Sequence, residues 1–373
     1  MTSFSCWRSI PTVDRISDMP DSILSHILSF LPTKLAVTTT ILSKRWKPVW
    51  RSVFTLDFDD KTFPDFNSFR RFVDLAMFRL RDKKTDIYSF TFKLSHSSRF
   101  DQRQFDRILK FVMERGVKNL KFNMTDKQRS INLPPRILSC KTLQILTLGN
   151  LLIKKFDKVD FPLVKTLHLD RVFFTPPQCF VKFIYGFPIL EDLNTKSFLL
   201  SSPELFDDPA VKLNALLNLA KVRICYGMDD MMTLFCKAKI LHLEQMCGWN
   251  LKRLPMFHNL THMELDQMYI VILAILPHFP NLQHFIIQCA RRGKGFWKYP
   301  PTVPDCLSSQ LKTCCVRSYI GTEYEFKFVK YIMQHSNVLE TMTIQSTCLE
   351  NDRMKLKLSS CTRGSTTCKL LFD

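Results

Sequence analysis

The chain has 373 residues, more than one typical domain, and is 46% hydrophobic with 32 Phe, so it can bury a large core. Its formal net charge of +19 attracts acidic partners over long range, but the Lys and Arg occur only in short clusters such as Arg70-Arg71, Lys83-Lys84, Lys154-Lys155 and Arg291-Arg292 with Lys294. No basic run or nucleic-acid module is recognisable. The 13 cysteines contain no C-x-x-C pair, which argues against a RING, a zinc ribbon or a thioredoxin-like site. The longest apolar run, Met268 to Leu276, is far short of the ~20 residues of a membrane helix. The opening residues lack an apolar leader segment, so a soluble protein of the cytoplasm or nucleus is expected.

Residues 14 to 50 predict three short helices. Asp18, Pro20 and Asp21 open the first, with acid in its first turn and proline where the missing N–H does no harm. Ile23, Leu24, Ile27, Leu28 and Leu31 fall along it at helical spacing. Pro32 ends it. Thr33 is expected to cap a second helix carrying Leu35, Ala36 and Val37, and Ser43 a third carrying Trp46, Val49 and Trp50. Units under ~40 residues usually need outside help to be stable, so the surplus apolar surface implies a partner. A plain helical cap on a larger domain is the alternative.

This stretch resembles the F-box in its plant form. The resemblance rests on Asp14-Arg15-Ile16-Ser17, Met19-Pro20-Asp21, the run from Ile27 to Lys34, and Leu42-Ser43-Lys44-Arg45-Trp46. Met19 stands where that family usually has Leu, a replacement that conserves volume. The likeness implies docking onto a Skp-type adaptor and, through it, a cullin ubiquitin ligase. Met19, Pro20, Ile23, Leu24, Ile27, Leu28, Pro32, Val37, Leu42 and Trp46 are the adaptor-binding candidates. Which of them face the adaptor and which their own core stays open.

Beyond residue 52 one pattern recurs: apolar, two residues, apolar, one residue, apolar. It runs from Val53-Leu56-Phe58 and Ile87-Phe90-Phe92 through Leu143-Leu146-Leu148 and Leu219-Val222-Ile224 to Leu339-Met342-Ile344. Ten steps from Ile87 to Leu339 cover 252 residues, a mean of about 25, inside the ~20–29 period of leucine-rich repeats. Helical stripes precede several strands: Phe69 to Leu80, Phe105 to Met113 ended by Gly116, and Phe180 to Ile184 ended by Gly186. Parallel strands joined by helical crossovers make a right-handed solenoid with apolar strand positions inside. The outward residues are then candidates for binding a substrate: Lys121, Gln144, Lys165, His168, Glu244, His262, Glu264, Gln283, Lys312 and Thr343. A doubly wound α/β sheet would also alternate helix and strand, but no Gly-rich phosphate loop follows a strand and only 9 Gly occur.

From Phe296 the chain turns proline-rich, then offers a strand at Leu311, a helix from about Thr322 to His335 and a strand at Leu339. This segment resembles the FBD domain of plant F-box proteins, on Trp297, Val303-Pro304, Cys306-Leu307, Leu311-Lys312, Gly321, Glu323, Tyr331-Ile332 and Leu339-Glu340. The expected fold is thus α/β. Residues 10–52 form a three-helix F-box, 53–295 a leucine-rich-repeat solenoid, and 296–373 an FBD segment that caps it.

Catalytic signals are missing. His258 and His262 are four apart, yet His262 falls in a strand, so no metal site is expected. The acid pairs Asp207-Asp208 and Asp229-Asp230 lack a matching base, and Ser201-Ser202 and Ser308-Ser309 lack a G-x-S-x-G setting. The leading function is the one that the F-box resemblance implies: a non-catalytic substrate-recognition subunit of a Skp–cullin–F-box ligase. Two alternatives stand beside it. One is a receptor of the same ligase class that uses an inositol phosphate or small molecule; the other is a basic solenoid that binds nucleic acid.

Overall fold

The structure, a computed structural model, describes residues 15–16, 18–81, 86–95, 101–124, 131–176, 178–196, 215–225, 231–244, 254–266, 272–288, 300–346 and 352–373. Asp14, Ser17, Lys83-Lys84, Ser201-Ser202, the Asp207 and Asp229 pairs, Arg291-Arg292, Lys294, Phe296 and Trp297 lie outside the described residues, as does the start of the Met268 run. The chain divides into two units, Met1–Lys121 and Phe122–Asp373. The division falls inside the repeat series.

In the first unit, Pro20 stands at the N-cap of the helix Asp21–Leu28, and Pro32 at that of Thr33–Thr38. A 3-10 turn, Thr39–Ile41, leads on to the helix Trp46–Trp50. The expected side-chain caps are not made. Thr33 lies within its helix and its hydroxyl accepts from the Asp57 amide at 2.8 Å, tying that helix to the first strand. Ser43 offers only its carbonyl, to the Trp46 amide. Arg45 fastens the first helix to the third, with Nε and Nη2 each 2.9 Å from Asp21 Oδ1 and a further bond to the Met19 carbonyl.

The strands β1 (Thr55–Asp59), β2 (Ser89–Leu94) and β3 (Asn119–Met124, which straddles the two units) follow. Between them run the helices Phe66–Leu80 and Gln102–Met113. Asp65 and Asp101 cap these, accepting from the amides of Ser68 at 2.9 Å and Gln104 at 2.8 Å. Gly116 has φ +61, the left-handed conformation its position demands. β1 and β2 pair in parallel, with Leu56 opposite Phe90 and Phe58 opposite Phe92. Phe69 closes over them, its ring 5.6 Å from that of Phe92.

The second unit contains β4 (Ile131–Asn132), β5 (Ile145–Gly149), β6 (Leu151–Lys154), β7 (Thr166–Asp170), β8 (Phe173–Thr175), β9 (Asp192–Lys196), β10 (Lys221–Cys225) and β11 (Ile240–Glu244). They are followed by β12 (His262–Asp266), β13 (His284–Gln288), β14 (Thr313–Arg317), β15 (Thr341–Ile344) and β16 (Lys369–Phe372). The main sheet takes β5, β7 and then β9 through β16 side by side in chain order. A doubly wound sheet would reverse direction after its first half; this one never does, as a leucine-rich-repeat solenoid requires. The register does not slip. Leu146, Leu167, Leu193, Val222, Leu241, Met263, Phe285, Cys314 and Met342 form one continuous rung line, each at most 2% exposed.

Two features differ from the expected plan. Where helices were expected, β4, β6 and β8 form a second, three-stranded parallel sheet instead. Helices return at Cys179–Ile184, Met232–Phe235 and Ile272–Ile275, all short. Gly186 does not need its conformational freedom; a Cβ there would sit 2.2 Å from Val159 Cγ1, so the position demands absence of a side chain. At the C-terminal end the chain continues the same sheet with β14, β15 and β16, the last of them missed in the sequence. The helix Glu323–His335 carries a full capping box between Thr322 and Glu325.

Candidate interaction surfaces

The three N-terminal helices sort their apolar side chains onto two faces. Leu24, Leu28, Ala36, Trp46, Val49 and Trp50 are buried. Ile23 and Ile27, one residue before each of the buried leucines of the first helix, lie on its other side and are 46% and 42% exposed. Phe30, Leu35, Ile41 and Leu42 are exposed too, Ile41 at 85%. Pro20 and Pro32 are exposed, and Met19 and Val37 half-buried. Thus three of the adaptor-binding candidates, Leu24, Leu28 and Trp46, are core residues of the unit itself. Phe30, Leu35 and Ile41 were not among the candidates, although Phe30 follows Ile27 by three residues and Ile41 adjoins Leu42. Covering one such side chain fully yields roughly 1.5–3 kcal/mol, so the exposed set is a substantial store of association energy.

The substrate-binding candidates fall into two groups. Lys121, His168, Glu244, His262, Glu264 and Thr343 lie on strands, with the apolar core residues alternating between them. Gln144, Lys165, Gln283 and Lys312 each sit one residue before a strand, and there the backbone carries the contacts. Each of these carbonyls accepts two successive amides of the next repeat: Gln144 from Lys165 and Thr166, Lys165 from Glu191 and Asp192, Gln283 from Lys312 and Thr313, and Lys312 from Glu340 and Thr341, at 2.8 to 3.3 Å. The Lys165 ammonium is in addition 2.8 Å from Glu191.

Across β10, β11, β12 and β14 the outward face carries a charged cluster centred on His242, whose side chain is 11% exposed. Nδ1 is 3.0 Å from Glu264 Oε2, and Nε2 is 3.3 Å from both Glu244 Oε1 and Asp266 Oδ2. A carboxylate thus lies beside each ring nitrogen. Arg223 reaches Glu244 at 3.3 Å and the ring at 3.2 Å, and Arg317 pairs with Glu264. The residues meet only because the strands hold Arg223, His242 and Glu264 in register, and likewise Glu244 and Asp266. Three of these side chains, His242, Glu264 and Asp266, offer ligand atoms within 4.8 Å of one another, the spacing of a metal site. Two guanidiniums beside three carboxylates already balance most of the charge a cation would balance, so the cluster is best described as a closed ion network. Sequence reasoning included Glu244 and Glu264 and missed Arg223, His242, Asp266 and Arg317; the signal is the outward residue inside each L-x-L, as Arg223 and His242 are, or just after it, as Asp266 and Arg317 are.

Next to the network, the rings of His262 and His284 stack with centroids 4.3 Å apart. Burial, with His262 and Lys312 adding repulsion against Glu340, holds the His284 imidazole below its ordinary range. Burial pushes the Cys306 thiol up to about 12 and raises Cys179, Cys315, Cys361 and Cys368, so these thiols are poor nucleophiles. Among the described residues, no helix is long and apolar enough to cross a membrane.

The F-box domain family matches residues 16–56, from the exposed helical face into β1, and the FBD family matches residues 299–344, which include β14 and β15. This chain carries an F-box and an FBD domain. It is 29% identical to an FBD-associated F-box protein of Arabidopsis thaliana over 96% of this chain and 100% of that protein. It is 28% identical to an F-box/FBD/LRR-repeat protein of the same plant, over 96% and 99%. A second protein of that F-box/FBD/LRR-repeat description is 25% identical over 98% and 95%. No solved structure matches. The apolar face thus belongs to the F-box, and the FBD domain supplies late strands of the repeat sheet.

Proposed function

We propose that this protein is the substrate-recognition subunit of a Skp–cullin–F-box type ubiquitin ligase. The supporting observation is the F-box face, where Ile23, Ile27, Phe30, Leu35, Ile41 and Leu42 remain exposed in a segment too small to cover them. On this reading a Skp-type adaptor covers that face and links the chain to a cullin. The strand face of the repeats holds a target protein. The chain contributes no nucleophile and requires no cofactor; it raises the effective concentration of a target lysine near a charged ubiquitin carrier. Its place of work is the cytoplasm or nucleus.

The test uses purified full-length chain and a Skp-type adaptor. Ile27→Asp with Leu42→Asp alters exposed positions only, so folding should be kept while adaptor capture falls by about a hundredfold or more, the equivalent of ~2.7 kcal/mol. Undiminished capture by this variant rejects the proposal.

A further inference from the structure

In the first unit the third F-box helix and the helix Phe66–Leu80 enclose a pocket of about 330 Å³. Its floor and walls are apolar: Trp50 and Ala76 are nearly fully buried, Val37 and Phe72 half-buried, and Leu75 54% exposed. Lys47, Arg51, Arg79 and Thr40 complete the lining, which contains no acid. Several other cations of this unit are matched: Arg45 by Asp21, Arg70 and Arg107 by Asp74, Lys93 by Asp57 and Asp59, Lys110 by Glu114. Lys47, Arg51 and Arg79 have no carboxylate partner among the described residues. The Arg51 Nε–H is buried with no acceptor, and a buried donor left unmade is costly.

Three like charges beside an apolar floor repel one another more strongly than they would in water. An anion placed between them removes that repulsion and supplies the missing acceptor. Guanidiniums match the planar fork of a carboxylate and the oxygens of a phosphate. The volume falls in the ~300–1,000 Å³ range of small-molecule sites. We propose that this pocket binds a small organic acid, with its apolar body on Trp50, Phe72 and Leu75 and its anionic head between Arg51, Arg79 and Lys47. This site does not depend on the adaptor reading, although Val37, one of the adaptor-binding candidates, lines its wall.

The full-length chain is titrated calorimetrically with 1-naphthoate, 1-naphthyl phosphate, the neutral isostere 1-naphthamide, and inorganic phosphate. One or both aromatic acids should bind at least tenfold more tightly than the amide, a difference of about 1.4 kcal/mol, and than inorganic phosphate. Whichever acid binds better identifies the head group. Arg79→Gln and Arg51→Gln should each lower the acid's affinity about tenfold and leave the amide unchanged. Arg79 is exposed, so its variant should fold even if the Arg51 variant does not. Arg103→Gln, on the helix Gln102–Met113 outside the pocket, should bind like the parent. Equal binding of acid and amide, equal binding of inorganic phosphate, no binding at millimolar acid, or an unchanged Arg79→Gln would overturn the proposal.

Discussion

The F-box face and the His242 cluster are built in opposite ways. In the F-box, apolar side chains are left uncovered: Leu24 and Leu28 fill the small core, while Ile23, Ile27 and Leu42 face outward. In the cluster, polar side chains satisfy one another. His242 meets carboxylates at both nitrogens, and Arg223 and Arg317 neutralise them. A partner gains by covering the first surface. It gains little from the second without displacing contacts already made. The difference separates a surface that awaits association from one that holds adjacent repeats together.

The sharpest way to break this comparison is to place one charge on each side of the first helix. Leu28→Asp buries an unpaired carboxylate at a site 2% exposed. It should cost several kcal/mol and melt the first unit, seen as loss of a cooperative thermal transition. Ile27→Asp, one residue away, should leave the melting temperature within about 2 °C, since exposed substitutions usually shift stability by under ~0.5 kcal/mol. Equal destabilisation of both would mean that the helix has no outer face.

The next effect concerns the cluster. His242→Ala leaves three carboxylates without their shared partner and should cost about 1–3 kcal/mol in chemical denaturation. A change below ~0.5 kcal/mol would show that the network is not structural. At the C-terminal end, Glu325 is 3% exposed and accepts from the amides of Ile320 at 3.1 Å and Thr322 at 2.9 Å. Glu325→Ala should cost about 1–2 kcal/mol through the lost cap. Glu325→Gln should recover part of it, since a neutral amide oxygen can still accept.

The smallest effect is a pH dependence. His284 is held below its ordinary range in the folded chain. As pH falls below about 6.5 the unfolded chain takes up that proton first, so the unfolded state binds more protons and stability declines. The decline continues through the lowered value and then stops. His284→Gln should therefore show a shallower loss of stability between about pH 7 and 5 than the parent. An identical or steeper loss would contradict the assignment.

What the sequence disclosed follows from how far apart the interacting residues lie. The L-x-x-L-x-L rows are periodic within a few residues, so β1, β2, β3, β5, β7 and β9 to β15 and their buried positions were legible in the sequence. The choice between Ile23 and Leu24, or Ile27 and Leu28, was not, because adjacent apolar residues on an eight-residue helix give no unique stripe. The cap assigned to Thr33 failed because Pro32 already sets that helix start and the Thr33 hydroxyl serves β1; the one assigned to Ser43 failed because the third helix starts two residues later, from Arg45. Arg223, His242, Glu264 and Arg317 are tens of residues apart, and only the strand register brings them together. β4, β6, β8 and β16 have two to four residues each, too few to show a period.

Oxidative footprinting of the full-length chain, free and bound to a purified Skp-type adaptor, tests the central claim most directly. Ile23, Ile27, Phe30 and Leu42 should be reactive in the free chain and protected in the complex, while Leu24, Leu28 and Trp46 are protected in both and the His242 cluster is unchanged. Continued reactivity of Ile27 and Leu42 in the adaptor-bound chain would contradict it.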